Sequence, residues 1–180
     1  MSIAADLTTK PQHGGFTGDA AVEEFEADDA AWCEVPYAMG VSSGTEALVL
    51  ALRALEIGTG DEVVPTNSFV ATAEAVSLLG VRSRFADMDA ETQLMTVETL
   101  QQALTPAVCC VISVHLFGRT VDLAPIMELA RAGGLMVLEE ASQAHGARYR
   151  GQRVGTIGHA STFSFCPAEN LGAWGDAARP

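Results

Sequence analysis

Apolar positions recur along this chain in two alternating patterns. Short continuous runs read as buried strands: Glu62 to Pro65, Val81 to Ala86, Ala107 to Val114, Leu135 to Leu138 and Ser161 to Phe165. The run A-V-C-C-V-I-S-V, from Ala107, has no polar alternation and predicts a strand covered on both faces. Between these runs lie stretches with helical spacing: Ala47 to Leu55, Phe69 to Leu79, Val97 to Leu104 and Asp122 to about Ala132. Their ends carry boundary chemistry. Ser42 and Ser43 precede the first, and Asn67 and Ser68 stand as caps of the second. Gly80 follows the second where a left-handed residue closes a helix. Thr96 caps the third, with Glu98 in its first turn. Asp122 opens the fourth and Gly133-Gly134 ends it. Upstream, Ala21 to Trp32 is an acidic helical stretch with Val22, Phe25 and Trp32 as its apolar positions, and Pro36 ends it. Asp87 to Leu94 reads as a loop, and Tyr149 to Gly155 as a polar turn around Gly151.

Strand and helix alternate, which predicts an α/β fold: a three-layer α/β/α domain with a mostly parallel sheet between helices. Residues 1–20, polar and glycine-bearing, read as an N-terminal arm, and residues 21–180 as one domain. Composition narrows the function classes. Of 180 residues, 48% are hydrophobic and 18% charged, a globular balance. A formal net charge of -13 excludes nucleic acid and anionic membrane surfaces as expected partners, since both need clustered Lys and Arg. The start, M-S-I-A-A-D-L-T-T-K, lacks a basic segment followed by an apolar one. A cytoplasmic chain is expected. The cysteines, Cys33, Cys109, Cys110 and Cys166, have no C-x-x-C spacing and read as buried free thiols. No grouping of His, Cys, Asp or Glu has metal-ligand spacing, so no metal is expected.

Four stretches could carry chemistry. Ser42-Ser43-Gly44-Thr45 opens a helix, where unpaired N–H groups favour an anion; an ordinary N-cap is the alternative. Phe69, by itself, reads as a core aromatic on an amphipathic helix. Glu139-Glu140-Ala141-Ser142-Gln143 follows a buried strand, at the end of a parallel sheet where α/β folds bind ligands. The alternative there is a pair of solvated glutamates. Last comes S-F-C-P-A-E-N-L-G-A-W-G-D, Ser164 to Asp176, an apolar run entering a polar, glycine-punctuated loop. His115, in V-H-L-F-G-R, is equally well a structural histidine, and His13 and His159 are isolated.

Taken together, these motifs resemble the DegT/DnrJ/EryC1/StrS sugar aminotransferases, which use pyridoxal phosphate (PLP) on the aspartate-aminotransferase fold. The resemblance runs from about Gly18 to Asp176, with Gly18, Val22, Phe25 and Glu26 similar to an early family pattern. It implies that Gly44, Thr45 and Ser164 hold the cofactor phosphate and that Phe69 stacks on the ring. Glu140 stands where the family has an aspartate paired with the pyridine nitrogen, and Gln143 matches a glutamine near the ring. His145 fits the same pattern. Glu169 stands where the family carries the lysine that binds PLP as a Schiff base. A carboxylate cannot form that bond, and it would repel the cofactor phosphate and make ionisation of Glu140 harder. The implied function is amino transfer to a keto-sugar nucleotide, in amino-sugar, polysaccharide or antibiotic-sugar biosynthesis, with no transaminase activity expected here. The alternatives are a non-catalytic partner of a full-length aminotransferase, a lysine-independent dehydratase-like enzyme with Glu169 as base, and a product without selected function. PLP is expected as a non-covalent cofactor at best. A homodimer, or a heterodimer with a full-length aminotransferase, is the expected assembly. Family members are about twice this length, so an incomplete large domain without the C-terminal domain, and with an open sheet edge, is expected.

Overall fold

A computed structural model of the chain describes residues 20–58, 60–173 and 175–180, with residues 62–65 described as backbone only. The arm expected over residues 1–20 therefore lies outside the described residues except for Ala20. The chain divides into two units, Met1–Met39 and Gly40–Pro180. The first contains helix α1, Ala20–Cys33, one residue longer at each end than its pattern predicts. Val22, Phe25 and Trp32 are exposed on it.

The second unit is a sheet with helices on both faces. Its elements are α2 (Gly44–Ala54), β1 (Glu62–Pro65), α3 (Val70–Leu78), β2 (Arg82–Ser83), α4 (Val97–Ala103), β3 (Val108–Val114), a 3-10 turn (Leu116–Gly118), α5 (Leu123–Gly133), β4 (Met136–Glu140), β5 (Arg148–Tyr149), β6 (Gln152–Arg153), β7 (Ala160–Ser164) and β8 (Ala178–Arg179). Six strands run in the order β2-β1-β3-β4-β7-β8. All pair in parallel except β7 with β8. The expected α/β class with a mostly parallel sheet is what the chain adopts.

The register decides what each face holds. Val111 pairs with Val137, Ile112 with Leu138, Ser113 with Glu139 and Val114 with Glu140. Successive residues point to opposite faces. On one face Val111 and Val137 pack with Leu100 of α4 and with Leu123, Ile126 and Ala130 of α5. On the other, Cys110, Ile112, Val114 and Leu138 pack with Leu48 and Leu52 of α2 and with Ala75 and Val76 of α3. Strand β3 is buried along both faces apart from Cys109, as its unbroken apolar run predicts. Each fully buried Leu or Ile contributes about 1.5–3 kcal/mol, so the strand order is held from both sides. Glu139 consequently falls on the α4/α5 face and Glu140 on the α2/α3 face.

Several boundaries differ from the pattern, each for a local reason. The strand expected over residues 81–86 shortens to Arg82–Ser83, because only Val81 and Ala86 of V-R-S-R-F-A are buried apolar positions, while Phe85 is exposed. Helix α3 starts at Val70, with Phe69 as its extended N-cap; Ser68 does not cap it but shares a hydrogen bond of 2.7 Å with the Thr72 hydroxyl. Asp122 makes no side-chain cap either, since its carboxylate accepts hydrogen bonds from the Tyr149 hydroxyl and from Arg150, at 3.3 Å. Thr96 does cap α4, in a reciprocal pair with Thr99. Gly80 and Gly134 take the left-handed conformation at the ends of α3 and α5. Strand β4 runs on through Glu140, placing both glutamates inside the strand. Beyond β7 the sheet gains β8, which the sequence did not suggest; Val41 exchanges backbone hydrogen bonds with Ala178 at 2.8 and 3.0 Å. Of the cysteines, Cys33 and Cys110 are buried, whereas Cys109 and Cys166 are half-buried; all are free thiols. Burial and the nearby Asp61 push the Cys109 thiol up to about 11.

Candidate functional site

The C-terminal ends of β4 and β7 meet the N-terminus of α2. Ser43 is the N-cap: its Oγ accepts from Glu46 N at 3.2 Å and its carbonyl from Ala47 N at 2.9 Å. That leaves the N–H groups of Gly44 and Thr45, in the first turn, donating to no described group. Helix α2 begins three residues before the apolar run that announced it, so Thr45 lies within the first turn, beside the positive end of the dipole. Gly44 is required there by crowding. A Cβ on it would sit 2.9 Å from Ser164 Cβ and 3.2 Å from Ser164 Oγ. The end of β7 and the start of α2 thus form one cup of donors.

The two glutamates ending β4 have opposite environments. Glu139 is fully buried. One oxygen accepts from His115 Nε2 at 3.1 Å and Gly155 N at 2.9 Å; the other accepts from Ile157 N at 2.8 Å and Gly158 N at 2.6 Å. His115 Nδ1 accepts from Val121 N at 3.1 Å, so Nε2 carries the proton that Glu139 receives. Burial alone would raise the Glu139 pKa, but the His115 hydrogen bond and the N–H groups of Gly158 and Gly155 hold it below the ordinary value. This corrects the solvated alternative for Glu139 and fixes His115 as structural.

Glu140 is half-buried and faces the other way. Its Oε1 accepts from Ser142 N at 3.0 Å and from the Ser142 hydroxyl. Burial raises its pKa, the Ser142 hydrogen bonds oppose that, and the charge of Glu169 adds to it.

Glu169 sits in a loop that folds back on itself. Its Oε2 accepts from Cys166 N at 3.1 Å, and its own N–H donates to Cys166 O at 2.8 Å. Oε1 has no described donor. Gly172 makes the fold-back possible, since a Cβ there would lie 2.5 Å from Pro167 O. Across the site, Gln143 Oε1 accepts from Phe117 N at 2.7 Å, which holds Phe117 in the left-handed region at φ 54° and leaves the Gln143 amide N–H groups with no acceptor among the described residues. Phe69 is 78% exposed. It is not the core aromatic that its own pattern suggests.

These groups line one open cavity of about 470 Å³. Gly44, Thr45, Phe69, Glu140, Gln143, Ser164 and Glu169 all contribute to its wall. His145 does not reach it. That ring packs on Phe163 and Phe165, with centroids 5.0 and 5.4 Å away, and burial, helped by the charge of Arg179, pushes its pKa down to about 4. Polar wall residues given no role from the sequence include Ser142 and Asp176, which lie within two of the named stretches, and Thr72, which lies in none of them. Ser142 had a signal, being a hydroxyl two residues beyond a strand-end carboxylate. The described cavity wall holds three carboxylates, Glu140, Glu169 and Asp176, and no Lys, Arg or His. The chain has one lysine, Lys10, which lies outside the described residues. Chemically, the cavity offers donors for an anionic group at one wall, an aromatic face, and carboxylates for a cationic or hydrogen-donating group.

Among the described residues no helix is long and apolar enough to cross a membrane, and no cluster of His, Cys, Asp and Glu could hold a metal. The model of the DegT/DnrJ/EryC1/StrS aminotransferase family matches residues 2–178. The chain is 49% identical over 152 residues to the UDP-N-acetyl-3-dehydro-alpha-D-glucosamine 3-aminotransferase of Acidithiobacillus ferrooxidans, covering 84% of this chain and 41% of that protein. It is 44% identical over 156 residues to the dTDP-3-amino-3,4,6-trideoxy-alpha-D-glucose transaminase of Streptomyces venezuelae, covering 86% of this chain and 41% of that one. Among solved structures, the aminotransferase from Psychrobacter cryohalolentis superposes with a TM-score of 0.93 at 35% identity, over 99% of this chain and 46% of that chain. The ntda protein of Bacillus subtilis, with bound cofactor PMP, gives 0.90 at 32%, over 98% and 40%. The chain thus spans about two fifths of the length of the curated relatives it matches.

Proposed function

Because the chain belongs to the DegT/DnrJ/EryC1/StrS aminotransferase family, we propose that its cavity binds the family's pyridoxal phosphate cofactor without a covalent bond and that the chain has no transaminase activity of its own. The observation that carries the reading is one cavity whose wall unites the donors at the start of α2 with Glu169, the residue that the resemblance sets at the lysine position. The residues present fit the group as a non-covalent ligand. The free N–H groups of Gly44 and Thr45, with the Thr45 and Ser164 hydroxyls, suit a phosphate. Phe69 offers its face to the ring. Glu140, whose burial disfavours a lone charge, suits a protonated ring nitrogen that would compensate it. When bound, PLP supplies an electron sink for amino-group chemistry.

The chain's own residues restrict the chemistry open to this cavity. Glu169 offers no amine, and one of its oxygens is tied to Cys166 N. A carboxylate so held does not replace a lysine that binds the cofactor and relays protons. By descent the substrate class is a keto-sugar nucleotide with an amino donor, as the names of the relatives indicate for those proteins. The test is a titration of the purified chain with PLP, followed by borohydride. Saturable binding with no PLP fixed outside Lys10 and the N-terminus is expected, together with no turnover of a keto-sugar nucleotide and glutamate. Absent binding, or measurable turnover, overturns the reading.

A second reading is a role as partner of a full-length aminotransferase or of a second copy of itself. It is favoured by large apolar side chains exposed at and near the cavity: Phe69 at 78%, Phe117 at 77% and Val70 at 66%. Sedimentation of the chain alone and mixed with such an aminotransferase tests it. A single monomeric species in both samples removes this reading.

A further inference from the structure

Glu169 does more than remove a lysine, and the wall around it points to a specific ligand state. Resting on the proposal that the cavity is a cofactor site, we propose that it selects the aminated form of the cofactor, pyridoxamine phosphate (PMP), over the aldehyde form, PLP. The resemblance puts Glu169 where the family's lysine bonds to the cofactor's reactive exocyclic carbon, and Glu169 lines this cavity. In PMP this carbon carries a primary ammonium; in PLP it carries an aldehyde oxygen.

The chemistry of the wall separates the two. Glu169 Oε2 is satisfied by Cys166 N at 3.1 Å, whereas Oε1 has no described donor. An ammonium supplies that donor as a charge-assisted hydrogen bond, about twice as strong as a neutral one. An aldehyde is only an acceptor and sets its oxygen against a carboxylate. The rest of the wall adds to the contrast, because Glu140 and Asp176 are also carboxylates and no described cationic side chain lines the cavity. Placing a cation there also relieves the Glu140–Glu169 repulsion that helps raise the Glu140 pKa. The phosphate and the ring are common to both forms, so their contributions cancel in the ratio of affinities. The remaining difference reports the group that faces Glu169.

The experiment is calorimetric titration of the full chain with PMP, with PLP and with deoxypyridoxine phosphate, which carries a methyl at the reactive carbon. The wild-type chain is expected to hold PMP at least about tenfold more tightly than either of the others, the range given by one charge-assisted hydrogen bond. Glu169→Gln should bring the three affinities within about threefold of one another by weakening PMP alone. Glu169→Ala checks that the amide does not substitute for the lost hydrogen bond. Far-ultraviolet circular dichroism confirms that each variant is folded. Equal affinities for the three ligands in the wild-type chain, or a preference that survives both substitutions, overturns the selectivity and leaves the cofactor site standing. Binding of none of the three overturns the cofactor site and the selectivity with it.

Discussion

Glu139 and Glu140 are adjacent, chemically identical, and stand at the end of one strand, yet the fold gives them opposite work. The pleat turns Glu139 to the α4/α5 side, where one histidine N–H and three backbone N–H groups close around it. The pleat turns Glu140 to the α2/α3 side, where Ser142 holds one oxygen and a cavity faces the remainder. The directions of their pKa shifts differ accordingly, down for Glu139 and up for Glu140. Burial acts on both. The sign depends on whether fixed donors are present to outweigh it. A carboxylate saturated by the backbone ties elements together; one left with capacity at an open wall is available to a ligand. The first links β4, the start of the 3-10 turn and the 155–158 loop, and so holds the strand from which the second projects.

The largest expected effect is on the closed side. Glu139→Ala leaves His115 and three N–H groups buried without their acceptor and should cost about 3–5 kcal/mol in urea unfolding. Glu139→Gln keeps one acceptor and should cost about 1–3 kcal/mol. A loss below 1 kcal/mol for the alanine variant would erase the contrast between the two glutamates.

Acid sharpens the same comparison. The folded pKa of Glu139 lies below its ordinary value of 4.5. Its contribution is therefore complete above that value and disappears as pH falls through the folded pKa. His145 acts in a separate window. Its folded value is about 4 against an ordinary 6.5. The unfolded chain therefore takes up a proton first, and stability declines from pH 6.5 towards 4 and then levels. Unfolding curves at stepped pH should show the upper decline flattened by His145→Gln and the lower one flattened by Glu139→Gln. Exchange of the two windows between the variants would refute the assignment.

On the open side the next effect is steric. Alanine is the better helix former at Gly44 by about 1 kcal/mol, but its Cβ would meet Ser164 Cβ at 2.9 Å. Both atoms stand directly on backbone, so neither swings aside. Gly44→Ala should cost about 1–3 kcal/mol, and Ser164→Gly should recover at least about 1 kcal/mol of that in the double variant. Additive effects would mean that the cup is looser than its geometry. Glu140→Gln should leave stability within about 1 kcal/mol of wild type, because burial already disfavours the charge that it removes. The same variant should weaken cofactor binding at least about tenfold and narrow the PMP-to-PLP ratio less than Glu169→Gln does.

The layers of this fold were legible because the apolar runs are unmixed: A-V-C-C-V-I-S-V predicts a strand covered twice, and Val108–Val114 is one apart from Cys109. The cavity wall was legible through its motifs: Gly44, Thr45, Phe69, Glu140, Gln143, Ser164 and Glu169 line it, though His145 does not. The roles of Glu139 and His115 were not, since a saturated carboxylate needs donors from residues 115, 155, 157 and 158, and no local pattern announces partners 16 to 24 positions away. Strand β8 escaped for a related reason. Ala178–Arg179 is two residues long, and Val41 bridges to it across most of the chain. Phe69 was assigned to a helix because its neighbours have helical spacing; as an extended N-cap it instead points away from the core.

That position of Phe69 gives the smallest stability effect and a clean separation of fold from site. A ring 78% exposed contributes little to folding, so Phe69→Ala should change stability by no more than about 0.5 kcal/mol. A stacked aromatic is worth about 0.5–1.5 kcal/mol, so loss of the ring should weaken PMP and PLP alike by about two- to tenfold. Glu139→Gln should show the reverse: a large change in unfolding and, while the chain remains folded, a small one in affinity. If Phe69→Ala destabilises the chain as Glu139→Gln does, then the exposed ring is part of the packing and the division between a closed structural side and an open binding side fails at the residue where it should be sharpest.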